Sequence, residues 1–344
     1  MQITCPVPVS DTEIITLGHG SGGLLTHKLL QAGVFGLLKN EWLDQQHDGA
    51  SLELNGRVAF STDSYVVSPI FFPGGNIGDL AVNGTVNDLA MCGASARYLS
   101  LSLIIEEGLP LTTFYEVLSS IARAAETARV QIVTGDTKVV EKGKGDQLFI
   151  NTSGIGYIHP EANIHHSRIK PGDQLIISGP IATHGMAIMS VRKGLEFETT
   201  IQSDTTSLKY NVLPLLDSYG SSIHFFRDPT RGGMASVLNE VAEQTNLGFT
   251  IQQAALPIDE QVEGACEMLG LDPLYVANEG IFLSVVDREA AEGVLGLLHQ
   301  SGAARAAIIG EVTHEHPGKV LLRSRIGGHR VVNYLTGEQL PRIC

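Results

Sequence analysis

Residues 58–92 read VAFSTDSYVVSPIFFPGGNIGDLAVNGTVNDLAMC. Val58–Ser61 has the composition of a strand and runs into Thr62-Asp63, since β-branched and aromatic residues favour a pleated, half-buried surface. The Pro and Gly residues of FFPGGN (71–76) mark a turn. From Ile77 to Cys92 the apolar residues recur at helical spacing, which predicts a buried helix. Strand, loop and helix in that order point to a mixed α/β fold. Within the helix, Asp88 falls four residues after Gly84 and seven after Ala81. At about 100° per residue this puts it on the apolar stripe. A carboxylate in that position needs a partner.

Upstream, the apolar run Ile14–Leu17 leads into GHGSGG (18–23) and then a helical pattern, LLTHKLLQAGVFGLLK (24–39). Downstream, strands are expected at Tyr98–Ile105, at Gln131–Thr134 (stopped by Gly135-Asp136) and at Gln147–Ile158, with a helix at Leu111–Ala128. The polar stretch HPEANIHHSRIKP (159–171) shows neither periodicity and reads as a connector. The expected organisation is therefore an α/β domain over 1–160, a second over 161–332 and a tail over 333–344. The second half repeats the mixture, with strands near 174–178, 223–226, 248–252, 281–286, 306–312 and 319–323. Its helices fall near 184–193, 205–219 (interrupted at Pro214), 234–244, 260–269 and 288–300.

A chain of 344 residues has material for two cores. With 23 Lys and Arg against 37 Asp and Glu, the net charge is 23 − 37 = −14, which argues against nucleic acid as the main partner. Cys5, Cys92, Cys266 and Cys344 are too widely spaced for a zinc knuckle. Cys92 and Cys266 fall on helical apolar faces and are expected to be buried as small hydrophobes. Residues 1–12 show no basic and apolar leader, and no apolar run is long enough to cross a bilayer. The expected setting is the cytoplasm, with reduced thiols and no membrane.

Asp63, Asp136 and Asp228 each close an apolar, strand-like run, the place where loops converge and ligands bind. With Asp88 and, in a looser context, Asp48 of HDGA, they form a candidate oxygen-ligand set for a hard cation such as Mg²⁺. Taken singly, each Asp reads first as a helix cap or turn former; the joint pattern favours a site, because Asp88 is not explained that way. RDPTRGG (227–233) adds Arg227 and Arg231, suited to phosphate or carboxylate. Gly18, Gly20 and Gly23 fit a dinucleotide fingerprint, but the following strand and acid are missing and no Walker lysine follows. What remains is a Gly-rich loop (Gly18, Gly20, Gly22, Gly23), either an anion cradle or a plain turn. The pairs His165-His166 and His314/His316 lack ligand support and read as solvated. Cys344, beside Arg342 at the end of the sequence, is either an incidental tail thiol or one able to reach into a site.

GHGSGG (18–23), FSTDSYVVSPIFFPGGNIGDLAVNGTVNDLAM (60–91), VTGDTKVV (133–140), RDPTRGGMASVLNEVA (227–242) and the final PRIC (341–344) together resemble the HypE family of hydrogenase maturation proteins. This family lies within the aminoimidazole-ribonucleotide-synthetase-like superfamily. The resemblance implies a two-domain α/β chain with a flexible C-terminal tail, a homodimer formed through the N-terminal domain, and ATP bound at the shared interface. It also implies that a HypF carbamoyltransferase loads the tail thiol, that ATP and Mg²⁺ drive dehydration of the thiocarboxamide to a thiocyanate, and that a HypC–HypD complex receives the cyano group as an iron ligand for [NiFe] hydrogenase. Carried across, Asp48, Asp63, Asp88 and Asp228 are Mg²⁺–phosphate ligands, and Asp136, Arg231 and the Gly18–Gly23 loop contact ATP. Cys344 is the acceptor, flanked by Lys138 and by Glu279 of ANEG (277–280). Two other readings remain: a small-molecule enzyme of the same superfamily, such as a selenophosphate synthetase or thiamine monophosphate kinase, and a non-catalytic scaffold whose tail is a peptide ligand.

Overall fold

A computed structural model of the chain describes residues 13–46, 49–195, 201–335, 337, 340 and 342–344. Asp48 and Cys5 lie outside the described residues. The first half carries β1 (Val58–Tyr65), α1 (Ile77–Met91), β2 (Ala94–Glu106), α2 (Leu111–Ala128), β3 (Gln131–Val140) and β4 (Leu148–Ile158). The strands form one sheet in the order β1-β4-β2-β3, antiparallel except for β2 and β3. α2 supplies the long crossover that a parallel pair requires.

Two strands run past the ends expected from sequence, β1 to Tyr65 and β3 to Val140. Gly135 does not stop β3. A Cβ there would lie 2.2 Å from the Leu101 carbonyl oxygen, so the glycine marks close approach of the neighbouring strand. Asp63 and Asp136 therefore sit within strands, and only Asp228 stands just beyond a strand end.

α1 is capped by Asn76, whose Oδ1 accepts from Gly78 N–H at 2.8 Å while Asp79 accepts from Asn76 N–H at 2.9 Å. Every residue of α1 except Asp79 and Asp88 is buried. A helix apolar on all sides must be covered on all sides. One side meets the sheet and α2, and the other meets the second half. Asp88 lies on the side of the helix expected from sequence, with Ala81 and Gly84 toward the sheet, and Ser61 of β1 is its partner; it also lines the cleft between the halves. Cys92 is a further correction. The helix ends at Met91, so Cys92 leaves the helical face and is exposed, whereas Cys266 is buried as expected.

The second half carries β5 (Gln174–Ile177), α3 (Thr183–Lys193), α4 (Lys209–Tyr219), β6 (Ile223–Arg227), α5 (Gly233–Thr245), β7 (Gly248–Gln252) and α6 (Glu260–Leu269). β8 (Leu283–Val286), α7 (Ala291–Gln300), β9 (Ala307–Thr313), β10 (Val320–Arg323) and β11 (His329–Val332) complete it. Pro214 lies inside α4 without interrupting it. The seven strands run in the order β11-β10-β7-β9-β5-β8-β6, antiparallel except β7 with β10.

The halves share buried surface. Met186, Ala187 and Ile188 of α3 join the same apolar cluster as Ile77 and Leu80 of α1. Buried Lys209 donates from Nζ to the Ala128 carbonyl at 2.6 Å, a cation at the C-terminus of α2 where the helix dipole favours it. Arg168, in the predicted connector, is pinned to the carbonyls of Asn163, Ser221 and Ile223 at 2.6–2.7 Å.

Candidate active site

Asp63, Asp88 and Asp228 converge where β1, α1 and the end of β6 meet. Ser61 Oγ donates to Asp88 Oδ2 at 2.7 Å, and Ser64 N–H donates to Asp63 Oδ1 at 2.7 Å. A cleft of about 1050 Å³ opens there, lined by Ser61, Asp88, Cys92, Arg227 and Asp228. Burial, then the charge of Asp88 and that of Asp63, pushes the Asp228 carboxyl up to about 7. Asp88 is likewise raised by burial and then by Asp63, against the hydrogen bond from Ser61.

The second half delivers Glu279 to the same place through two asparagines. Asn87, next to Asp88, donates to the carbonyls of Thr206 (2.9 Å) and Glu279 (3.2 Å) and accepts from Leu208 N–H at 2.8 Å. Asn278 donates to the Pro229 carbonyl at 2.8 Å and accepts from Ala182 N–H at 2.6 Å. The Asp228 loop and the ANEG turn are thus fastened to each other. Asp204 completes the turn by accepting from Glu279 N–H at 3.2 Å and Gly280 N–H at 3.0 Å. A Cβ on Gly280 would lie 1.7 Å from the Asp204 carbonyl oxygen, so only glycine fits.

Glu279 is 5% exposed, and its Oε1 has no hydrogen-bond partner. Its side chain is hydrogen-bonded to Cys344. Burial raises the Glu279 carboxyl well above the usual range, followed by the charges of Asp204 and Asp228. The Cys344 thiol is also raised, by burial first and then by Glu279, while Arg231 opposes the shift. The tail is therefore seated inside the molecule. Ile343 is 2% exposed, a burial that stabilises the docked tail by about 1.5–3 kcal/mol. The Arg342 carbonyl accepts from Ser68 N–H at 3.2 Å and from the Arg192 guanidinium, and Arg342 Nη1 meets Asp146 Oδ2 at 2.7 Å.

The other candidates form a separate group. Asp63 lies opposite Thr152, Thr152 opposite Leu101, and Leu101 opposite Gly135. Asp136 and Lys138 thus stand across the sheet from Asp63, about 14 Å away at roughly 4.8 Å per strand. They pair with each other at 3.1 Å and are exposed. Gly20, Gly22 and Thr26 line a cavity of about 300 Å³ with them. The groups that act on Cys344 are Glu279, Arg231 and Asp63; Lys138 is not among them. Within one chain the structure therefore brings Glu279 and Arg231 to Cys344, and leaves Lys138 with Asp136 and the glycine loop.

Sequence reasoning missed Asn87, Asp204, Asn278 and His184. Asn87 carried a usable signal, since it is a polar residue beside Asp88 in an apolar helix. The others depend on contacts between the halves that no local pattern encodes. Among the described residues, the group that brings three potential metal-ligand atoms within 4.8 Å of one another is Asp173, His224 and Asp287, with Lys170 already on Asp287 at 2.6 Å. Asp63, Asp88 and Asp228 form a looser set that a phosphate would have to complete.

A stability signature follows from Asp228. Its carboxyl keeps its proton up to about 7 in the fold, against 3.8 for an ordinary Asp. The group's contribution to stability is fullest below about 4 and is lost as pH rises through about 7. Thermal unfolding without divalent cation is expected to show Asp228→Asn gaining stability over the parent across this window, by a few degrees at pH 7.5. A constant difference from pH 4 to 8 would contradict the assignment.

The fold and this site define a class. Residues 46–158 match the AIR synthase related protein N-terminal domain, and residues 170–323 match the C-terminal domain of the same family. The chain is 47% identical over 332 residues to the carbamoyl dehydratase HypE of Azotobacter vinelandii, covering 96% of this chain and 97% of that protein. A crystal structure of HypE in complex with ATP superposes with a TM-score of 0.92 at 45% identity, covering 95% of this chain and 99% of the other. A HypE chain from the structure of a HypE–HypF complex superposes with a TM-score of 0.79 at 43% identity, covering 91% and 100%. The chain belongs to the HypE family. No helix among its described residues is long and apolar enough to cross a membrane.

Proposed function

We propose that this chain is an ATP-dependent carbamoyl dehydratase that converts an S-carbamoyl group on its own Cys344 into an S-cyanate. The observation that carries this reading is the seating of the tail, which hydrogen-bonds the thiol of Cys344 to buried Glu279 beside Asp63 and Asp228. The amide oxygen of a thiocarboxamide is a poor leaving group. Transfer of the γ-phosphoryl of ATP to that oxygen, with loss of one N–H proton, turns it into a phosphate ester. Loss of the second N–H proton and departure of phosphate then leave C≡N on sulfur, with ADP and phosphate as the other products. Both protons need an acceptor, and Glu279 is the base within reach of the loaded thiol. Neutralising Asp228 and Asp63 would lower its raised carboxyl, while burial and Asp204 would continue to hold it up.

The donor set fits Mg²⁺: carboxylate oxygens from Asp63, Asp88 and Asp228, with the unpartnered Glu279 Oε1 nearby. These residues would hold Mg²⁺, which would supply positive charge to offset that of the phosphates. Arg231 supplies positive charge at Cys344. The Gly18–Gly23 loop, with Asp136 and Lys138, frames the second nucleotide-facing surface.

That surface stands across the sheet from Asp63, which favours a homodimer whose partner sheet completes the site. Along β1, Val58 and Phe60 are exposed (40% and 67%) and Ile104 of β2 is 40% exposed, while Ala59 between the first two, and Tyr65 at the strand end, are buried. Such an uncovered apolar sheet face suits a second copy. Phe60→Asp is expected to shift the chain from dimer to monomer in light scattering and to depress ATP turnover with it. A dimer that persists in this variant would place the interface elsewhere.

A HypF carbamoyltransferase would load Cys344, and a HypC–HypD complex in the cytoplasm would receive the cyano group. Intact mass after incubation with HypF, a carbamoyl donor and ATP tests the reaction itself. Gain of one carbamoyl group followed by loss of one water is expected. A carbamoyl adduct that persists with ATP would refute dehydration, and phosphorylation of a free small molecule would favour the kinase-like reading.

A further inference from the structure

We propose that His184 is a positioning residue for this reaction, which uses a neutral imidazole to lock the loaded tail against Glu279. His184 is fully buried near the start of α3, its ring set edge-on against Phe72 at 5.5 Å. Nε2 lies 2.8 Å from the Ile343 carbonyl and Nδ1 lies 2.7 Å from Ser203 Oγ. A carbonyl can only accept, so Nε2 must carry the hydrogen, and Nδ1 is then left to accept from the Ser203 hydroxyl. Ser203 Oγ in turn accepts from Thr205 N–H at 3.1 Å. The donors form a directed chain, from Thr205 N–H through the Ser203 hydroxyl and His184 to the carbonyl next to Cys344.

The chain is coupled to the base. Asp204, the residue after Ser203, holds the backbone of Glu279 and Gly280 and also accepts the backbone N–H of His184. One dipeptide, Ser203-Asp204, therefore references both the base and the thiol-bearing tail. Burial keeps the ring neutral, with its pKa lowered to about 4, and the Arg192 charge acts in the same direction. A neutral ring makes one defined hydrogen bond to the tail without a fixed charge, so the tail can leave for its partners and return.

This inference rests on the proposed role of Cys344 and Glu279, so two readouts are needed. His184→Phe keeps a ring but leaves the Ile343 carbonyl unsatisfied, whereas His184→Gln can accept from Ser203 and donate to that carbonyl. Alkylation of Cys344, resolved by peptide mapping from Cys92, is expected to quicken about 5- to 30-fold in His184→Phe and to return close to the parent rate in His184→Gln. Single-turnover dehydration of pre-carbamoylated protein is expected to slow by a similar factor in His184→Phe, with loading by HypF undiminished and the unfolding temperature little changed. Unaltered alkylation and dehydration in His184→Phe would overturn the proposal, as would equal losses of dehydration, loading and thermal stability. If the parent protein itself failed to dehydrate the adduct while alkylation still responded to His184, the functional reading would fall and the latch would stand.

Discussion

Cys344→Ala is expected to abolish the reaction entirely: no carbamoyl adduct forms with HypF, and no cyanate follows with ATP. The effect is all-or-none because, in the proposed reaction, the Cys344 sulfur is the atom that carries the substrate. Cys92 cannot replace it. Cys92 is exposed in the cleft, but it is fixed at the C-terminus of α1 and its thiol is raised by burial, then by Asp88 and Asp228, which disfavours the thiolate form that attacks. Cys266 is sealed in the core, with its thiol pushed up to about 12. The fold itself should be indifferent to the change, because Ile343 and the carbonyl bonds from Ser68, Arg192 and His184 hold the tail without the thiol. Intact mass and thermal unfolding on the same sample check both halves of the statement. An adduct of undiminished yield on Cys344→Ala would remove the residue from the mechanism.

Glu279→Gln is expected to leave loading of Cys344 intact and to slow dehydration by about 10²- to 10⁴-fold, the usual contribution of a positioned base. Gln preserves the shape, and Asp204 grips only the backbone of the turn, so the geometry survives. The pH profile is the sharper measurement. Burial, Asp204 and Asp228 raise the Glu279 carboxyl, and a base works only when deprotonated. Dehydration in the parent should therefore fall as pH is lowered through that raised value and climb as pH increases, and this limb should vanish in Glu279→Gln. Addition of Mg²⁺ should shift the limb to lower pH by neutralising neighbouring carboxylates. A wild-type profile in Glu279→Gln would assign the base to another group, with Lys138 of a second copy the first to test by Lys138→Met.

Much of the fold was legible because it is written in local pattern. The periodicity of Leu111–Ala128 predicted α2 at its observed bounds, and the FFPGGN turn before Ile77 gave the start of α1. Local pattern failed where a long-range contact outweighed it. Gly135 looked like a strand end and proved to be the point where β2 passes closest. Cys92 looked buried because the helix was expected to run one residue further.

The sequence by itself determined the mixed α/β class, the acids Asp63, Asp88 and Asp228, and the singular position of Cys344, since composition, period and motif are properties of neighbouring residues. Only the tertiary structure decided which of these meet. Glu279 reaches Asp228 and Cys344 because Asn87, Asn278 and Asp204 tie segments 49 to 192 residues apart in sequence. Lys138 stays on the far edge of the sheet because strand order, rather than chain order, sets distance across it. The raised carboxyls of Asp228 and Glu279 are likewise tertiary facts, because burial and charge density exist only once the two halves have closed on each other.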